Sequence, residues 1–280
     1  MDPYYLKYLK YKNKYIKLND GLTQIGGIKK ISFGSIKNTL KTIETKSYEI
    51  FKLNLTEEDK KTICSLNINI IESKPTKYNF YGNIDDFINN TNQDIDELVE
   101  FIKSISINSY ENAIKISCII KNILSLLERG YNKNYCWLTI RIVKNSNAFK
   151  IPRWHCDGNY FNKIKYPYPQ TKFVMVLKGP GTLLIKPNYK VKEIYNNYLE
   201  FAYKSKFETI EDRELLDKKL KEVGAVQIQL KNDEGLIFLA GHPNCTIHSE
   251  PDIIEPRMFL SIVMADKENI NDWKCKNHKK

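Results

Sequence analysis

Long apolar runs are missing from this 280-residue chain. No stretch approaches the roughly 20 apolar residues that span a bilayer, so no transmembrane segment is expected. The N-terminus also lacks the continuous apolar run of a secretory signal, which predicts a chain that is not secreted. Cysteines are few: Cys64, Cys118, Cys136, Cys156, Cys245 and Cys275, with no C-x-x-C pair among them. That argues against a disulfide scaffold and for reduced thiols acting mostly as small buried hydrophobes. No internal repeat, collagen-like period or coiled-coil heptad is present. Histidine is scarce too, with four in the whole chain.

What is abundant is lysine, and its placement matters more than its total. The formal net charge is +11. Residues 1–30 hold seven lysines against two aspartates, and 274–280 hold four lysines and no acid, which leaves about +2 for everything between. A nucleic-acid-binding domain concentrates its charge on a folded face. Here the ends carry it, so contact with nucleic acid is expected only through the basic tails. The abundance of Lys, Asn and Ile also fits AT-rich coding, which raises the isoelectric point without a polyanionic partner.

The segment Tyr4 to Leu18 alternates Lys and Tyr and reads as a short basic helix with an aromatic face, broken by Asn19-Asp20-Gly21 and Gly26-Gly27. It suits a targeting, packaging or membrane-surface element, or a solvated tail. This leader resembles the Lys/Tyr-rich leader, ending near a Gly-Gly, found on many proteins of giant DNA viruses of the mimivirus group. The resemblance implies residence in the cytoplasm, viral factory or virion of an infected host cell.

Period and turn signals divide the rest. Residues 47–72 alternate in places and read as short strands. Residues 85–106 and 110–129 carry apolar stripes at helical spacing, the second with Ser109 as N-cap and Gly130 as a C-terminal stop. After Gly130 come eight short strands: 135–144, 153–157, 171–178, 182–186, 224–230, 235–240, 246–248 and 257–264. Turn residues such as Gly179-Pro180-Gly181 and Gly241-His242-Pro243-Asn244 separate several of them. Residues 191–222, rich in Lys, Glu, Tyr and Leu, read as a helical insertion placed to cover the site and help select substrate. The expected architecture is α+β with a mainly β core, a jelly roll with N-terminal helices packed on it. A leader (1–30) precedes a single domain (31–270, core about 135–265), and a basic tail (271–280) follows.

One constellation carries chemistry. In an extended strand His155 and Asp157 point the same way, with Cys156 turned opposite into packing. His248 follows 91 residues after Asp157, also in an expected strand. Two imidazoles and one carboxylate on one face make the facial triad of a non-heme iron site, with positions left open for cosubstrate and oxygen. Arg257 lies nine residues after His248, beyond a turn that would return it to the same cavity, and a guanidinium pairs bidentately with a carboxylate. Arg257 also suits a salt bridge to Glu250, Asp252 or Glu255. His242-x-x-Cys245-x-x-His248 is a competing zinc pattern, although an extended Cys245 would face away from His248.

The pattern His155-x-Asp157 … His248-(x)8-Arg257 resembles that of the iron(II)- and 2-oxoglutarate-dependent dioxygenases, and 135–265 is similar to their double-stranded β-helix. The resemblance implies Fe(II) on His155, Asp157 and His248. It further implies 2-oxoglutarate on Arg257 and O2 as second cosubstrate. The activity implied is oxidative hydroxylation or demethylation, with release of succinate and CO2. Phe259 departs from the pattern, since a Ser or Thr often stands two residues after the arginine. Arg153, Trp154 and Tyr160 flank the His-x-Asp and are candidates to line the substrate entrance. The substrate class is open among protein, nucleic acid and small molecule. The alternative function is a non-catalytic jelly-roll binding or virion structural protein.

Overall fold

The computed structural model describes residues 28–70, 75–89, 96–205 and 209–277, so nearly all of the leader lies outside the described residues. The first half is mostly helical. β1 (Lys29–Lys30), α1 (Phe33–Lys46), β2 (Tyr48–Lys52) and α2 (Glu57–Cys64) are followed by β3 (Lys77–Asn83), α3 (Ile84–Asn89), α4 (Glu97–Ser104) and α5 (Tyr110–Tyr131). The second half supplies β4 (Tyr135–Val143), β5 (Gln170–Lys178), β6 (Leu183–Ile185), α6 (Tyr189–Ser205) and α7 (Ile210–Glu222). It closes with β7 (Gln227–Gln229), β8 (Glu234–Ala240), β9 (His248–Ser249), β10 (Arg257–Ala265) and α8 (Lys267–Asn277).

Two sheets face each other. The larger runs β1-β2-β8-β5-β10-β4-β3 and the smaller β7-β6-β9, extended by an antiparallel bridge between His155 and His248. From β4 onward the chain alternates between them: β4 in the large sheet, His155 in the small, β5 in the large, β6 and β7 in the small, β8 in the large, β9 in the small, β10 in the large. That wiring is a jelly roll, the double-stranded β-helix expected from the strand spacing. The class is α+β.

Each face of the large sheet has its own partner. Leu138, Ile140 and Ile142 of β4 and Leu260 and Ile262 of β10 point outward onto α1, α4 and α5, where they join Ile36, Leu98, Ile120 and Leu124 in one core. The alternate residues point inward. Val174, Leu236 and Phe238 meet Leu184 of the small sheet and Leu230 beyond β7 in a second core. The period-two sequence therefore buries both faces and leaves a cavity between the sheets where polar residues interrupt the apolar ones.

Several boundaries differ from the sequence expectation. Of 47–72, only β2 is a strand within the described residues. Residues 57–64 are α2, started by Thr56 and Asp59 in a reciprocal capping box. The helix expected over 85–106 appears as α3 and α4, the latter capped by Asp96; residues 90–95 lie outside the described residues. α5 runs past Gly130 and ends at Asn132, in the left-handed region at φ 54°. Gly130 is there for packing: a Cβ would sit 2.6 Å from the Ile36 side chain, so the glycine lets α1 and α5 approach closely. The 153–157 strand reduces to the single bridge at His155. Most of the expected basic tail belongs to α8, anchored by Ile270 and Trp273.

The insertion also sits differently. α6 and α7 pack Val191, Tyr195, Leu216 and Leu220 against Trp154, Ile185 and Ile247, on the outer face of the small sheet. They buttress the site from behind. The expected cover over its mouth is not seen: among the described residues, none of 189–222 lines the cavity. No helix among the described residues is long and apolar enough to cross a membrane.

Candidate metal centre

The His155–His248 bridge decides the site's geometry. Each residue donates its backbone N–H to the other's carbonyl at 2.9 Å. Both side chains emerge on the inner face, with ring centroids 4.3 Å apart. His155 Nδ1 lies 2.8 Å from the Arg153 carbonyl, and His248 Nδ1 lies 2.9 Å from the Thr246 carbonyl. A carbonyl only accepts, so each Nδ1 carries the proton and each Nε2 presents a lone pair.

Both Nε2 atoms point toward the same oxygen. Asp157 Oδ1 is 3.9 Å from His155 Nε2 and 3.7 Å from His248 Nε2. The other oxygen, Oδ2, accepts from Lys172 Nζ at 2.8 Å and from the Tyr160 hydroxyl. Tyr160 is held in turn by Gln170, whose Oε1 accepts the Tyr160 and Phe161 backbone N–H groups at 2.8 and 2.9 Å. The carboxylate is thus fixed from behind with one oxygen aimed at the imidazoles. One atom from each of the three residues lies within 4.8 Å of the others. Two neutral imidazole nitrogens and a carboxylate oxygen, each oriented by a second hydrogen bond, form a donor set that fits a divalent first-row metal such as iron.

At His248 electrostatics agree with that protonation. Burial, reinforced by the neighbouring His155, pushes His248 down to about 4, so it is neutral at physiological pH. Burial works to raise the Asp157 carboxyl, but Lys172 and then His248 overcome it and hold the group well below the usual carboxylate range.

The triad opens into a cavity of about 490 Å³ whose walls include Arg141, Arg153, Lys172, Thr182, Phe238, Glu250, Arg257 and Phe259. Arg257 is 3% exposed. Its Nε donates to the Pro180 carbonyl at 2.9 Å and its Nη2 to Thr182 Oγ1 at 2.9 Å. Among the described residues no carboxylate pairs with it, so none of Glu250, Asp252 and Glu255 forms the alternative salt bridge. Desolvation lowers it to about 10, which still leaves it charged. A β-bulge follows in β10 between Met258 and Phe259, a device that re-aims side chains beside sites.

Of the candidate entrance residues, the cavity brings in Arg153 alone. Trp154 is 2% exposed and points the other way, donating its indole N–H to Asp217 of α7 at 3.0 Å. The reason is strand alternation, which puts 154 opposite 155. Tyr160 lies behind Asp157 and supports it. The competing zinc pattern does not assemble: His242 accepts the Asn244 N–H on its Nδ1, and Cys245 sits beside Cys156 on the far face. The sequence reading missed Lys172, Thr182, Glu250 and Arg141 as site residues. Alternation along β5 would have offered Lys172, which shares its face with Val174. Thr182 carries no local signal.

No protein-family model matches the chain, and neither does any curated protein. Among solved structures, a prolyl hydroxylase from Trichoplax adhaerens, in complex with a hypoxia inducible factor oxygen degradation domain peptide fragment, aligns with TM-score 0.39 at 9% identity. It covers 85% of this chain and 93% of that one. A Pseudomonas putida prolyl-4-hydroxylase aligns with TM-score 0.37 at 9% identity, covering 83% and 99%. A rice dioxygenase for auxin oxidation aligns with TM-score 0.43 at 8% identity, covering 86% and 84%.

Proposed function

We propose that the protein is an iron(II)- and 2-oxoglutarate-dependent oxygenase that hydroxylates or demethylates its substrate. One observation carries this reading. A His–Asp–His cluster with its lone pairs converging shares a cavity with a buried guanidinium that has no anionic partner among the described residues. A desolvated cation costs several kcal/mol unless something offsets it. A carboxylate-bearing cosubstrate chelated at the neighbouring metal would do so.

In this reading His155 Nε2, His248 Nε2 and Asp157 Oδ1 hold the metal, and Lys172 and Tyr160 keep the carboxylate from rotating. Arg257 takes the distal carboxylate of 2-oxoglutarate. Thr182, already bonded to Arg257, supplies the hydroxyl that Phe259 cannot. Iron with 2-oxoglutarate and oxygen supplies the oxidation of an unactivated C–H bond, with succinate and CO2 as co-products. The chain's own part is to orient and to exclude water: Val174, Phe238 and Phe259 wall the cavity with apolar surface.

The test is anaerobic addition of Fe(II) and 2-oxoglutarate. The bound chelate should give a weak visible charge-transfer band, and 2-oxoglutarate should protect the metal-loaded protein against unfolding. Absence of both would refute the assignment. Succinate release across peptide, oligonucleotide and metabolite pools would then identify the substrate.

A further inference from the structure

The cavity is too positive for the cosubstrate alone. Its walls carry four cations, Arg141, Arg153, Lys172 and Arg257, against two acids, Asp157 and Glu250. Lys172 is committed to Asp157, and Arg153 contacts Glu250 at 3.4 Å. Arg257 is the residue assigned to 2-oxoglutarate. Fe(II) and the 2-oxoglutarate dianion cancel each other's charge, so filling the centre leaves the protein's surplus of two in place.

Arg141 is the remaining cation. It lies on the inner face of β4, directly across from Phe259 of β10 and from Lys77 of the edge strand β3. Arg141 and Lys77 are both exposed, and neither side chain has a hydrogen bond or ion pair among the described residues. Desolvation and then Arg141 itself lower the Lys77 amine, as expected of two like charges facing each other without an acid between them. Like charges directly opposite on a sheet are destabilising. Arg257, on the same face two residues before Phe259, is buried, whereas Arg141 is open to solvent. The two arginines therefore sit at different depths, one inside the cavity and one at its mouth.

We propose that the substrate carries an anionic group, a carboxylate or a phosphate, which Arg141 binds at the mouth with Lys77 beside it. The inference rests on the oxygenase reading and adds a substrate class to it. An anion there would relieve the Arg141–Lys77 repulsion and leave the uncharged part of the substrate against Phe259 and Val143, facing the metal ligands.

The experiment uses the full chain loaded with Mn(II), a redox-inert stand-in, and 2-oxoglutarate. Unfolding temperature is followed against inorganic phosphate and against two pairs of probes, uridine with uridine 5′-monophosphate and glutaramide with glutarate. The anionic members should raise the unfolding temperature and the neutral members should not. Arg141→Gln should weaken apparent affinity for the anions about tenfold, the cost of one charge-assisted contact, while Arg141→Lys keeps most of it. Phosphate and carboxylate arms separate the two sources of anion. Equal shifts from neutral and charged probes, no shift from any anion, or an unchanged response in Arg141→Gln would overturn the proposal. So would a fall in 2-oxoglutarate affinity on Arg141→Gln as large as that on Arg257→Ala, which would place Arg141 on the cosubstrate. Failure of 2-oxoglutarate to stabilise the Mn(II)-loaded wild type would instead sink the oxygenase reading, and it is read first on the same sample.

Discussion

His155 and His248 are hydrogen-bonded to each other through both backbone amides, at 2.9 Å in each direction. The pairing joins residues far apart in the chain and makes the two imidazoles neighbours before any metal arrives. Their Nδ1 atoms are committed to the Arg153 and Thr246 carbonyls, so the proposed metal would bind with little reorganisation.

Asp157→Ala should abolish Fe(II) binding, measured anaerobically by the charge-transfer band, and leave the far-ultraviolet circular dichroism unchanged. Lys172→Met tests the support behind it. Lys172 is the main group opposing the burial that would raise Asp157. Without it the carboxyl should protonate more readily, and the lower pH limit of Mn(II) binding should rise by about one unit.

Arg257→Ala should weaken 2-oxoglutarate binding at least about 30-fold, judged by titration of the Mn(II)-loaded protein, because it removes one partner of a desolvated charge pair. The unliganded protein should lose little stability. Its guanidinium hydrogen-bonds the neutral Pro180 carbonyl and Thr182 hydroxyl and lies over the Phe259 ring, so truncation breaks no ion pair among the described residues.

Stability of the metal-free protein should fall as pH drops from about 6.5 toward 4. His248 is depressed to about 4 in the fold against 6.5 when unfolded, so in that window the unfolded chain binds the extra proton. The lowered Asp157 acts in the same direction below the ordinary aspartate value of 3.8. Urea midpoints between pH 4 and 8 would check this. Saturating Mn(II) should raise the midpoints and steepen this dependence, since the metal binds only the folded, deprotonated site and protons displace it as the pH falls.

Trp154→Phe should cost about 1–2 kcal/mol in urea unfolding, through the lost bond to Asp217, and Trp154→Ala about 3–5 kcal/mol. The alanine variant should also weaken metal binding, because Trp154 pins the segment carrying His155 to the insertion. Unchanged metal affinity would show that the bridge to His248 alone positions that ligand.

Gly181→Ala should destabilise by about 3 kcal/mol or more. A Cβ there would fall 1.8 Å from the Leu230 carbonyl oxygen, so β6 must move away from β7. Thr182 would move with it. 2-Oxoglutarate affinity should therefore drop along with stability, a coupling that a remote core variant would not show.

Much of the site was legible because it obeys strand alternation. His155 and Asp157 share a face for that reason, and Trp154 and Cys156 share the other. For Trp154, proximity to the motif suits the entrance and alternation suits packing, and it packs against Asp217. α2 went unread although Thr56-Glu57-Glu58-Asp59 is a capping box, because the alternating apolar residues on either side of it suggested strand. Gly130 reads locally as a helix stop because the contact that requires it, Ile36, lies on another helix.

By itself the sequence determined that His155 and Asp157 share a face, the jelly-roll succession of strands and the position of the insertion, since all of these follow from local period and turn chemistry. Only the tertiary structure decided which oxygen of Asp157 faces the imidazoles, that Arg257 lacks a carboxylate partner among the described residues, that Thr182 accepts a hydrogen bond from Arg257, and that α6 and α7 lie behind the site. Each of these depends on contacts between elements distant in the chain. Local pattern says which way a side chain points, and the fold alone says what it meets there.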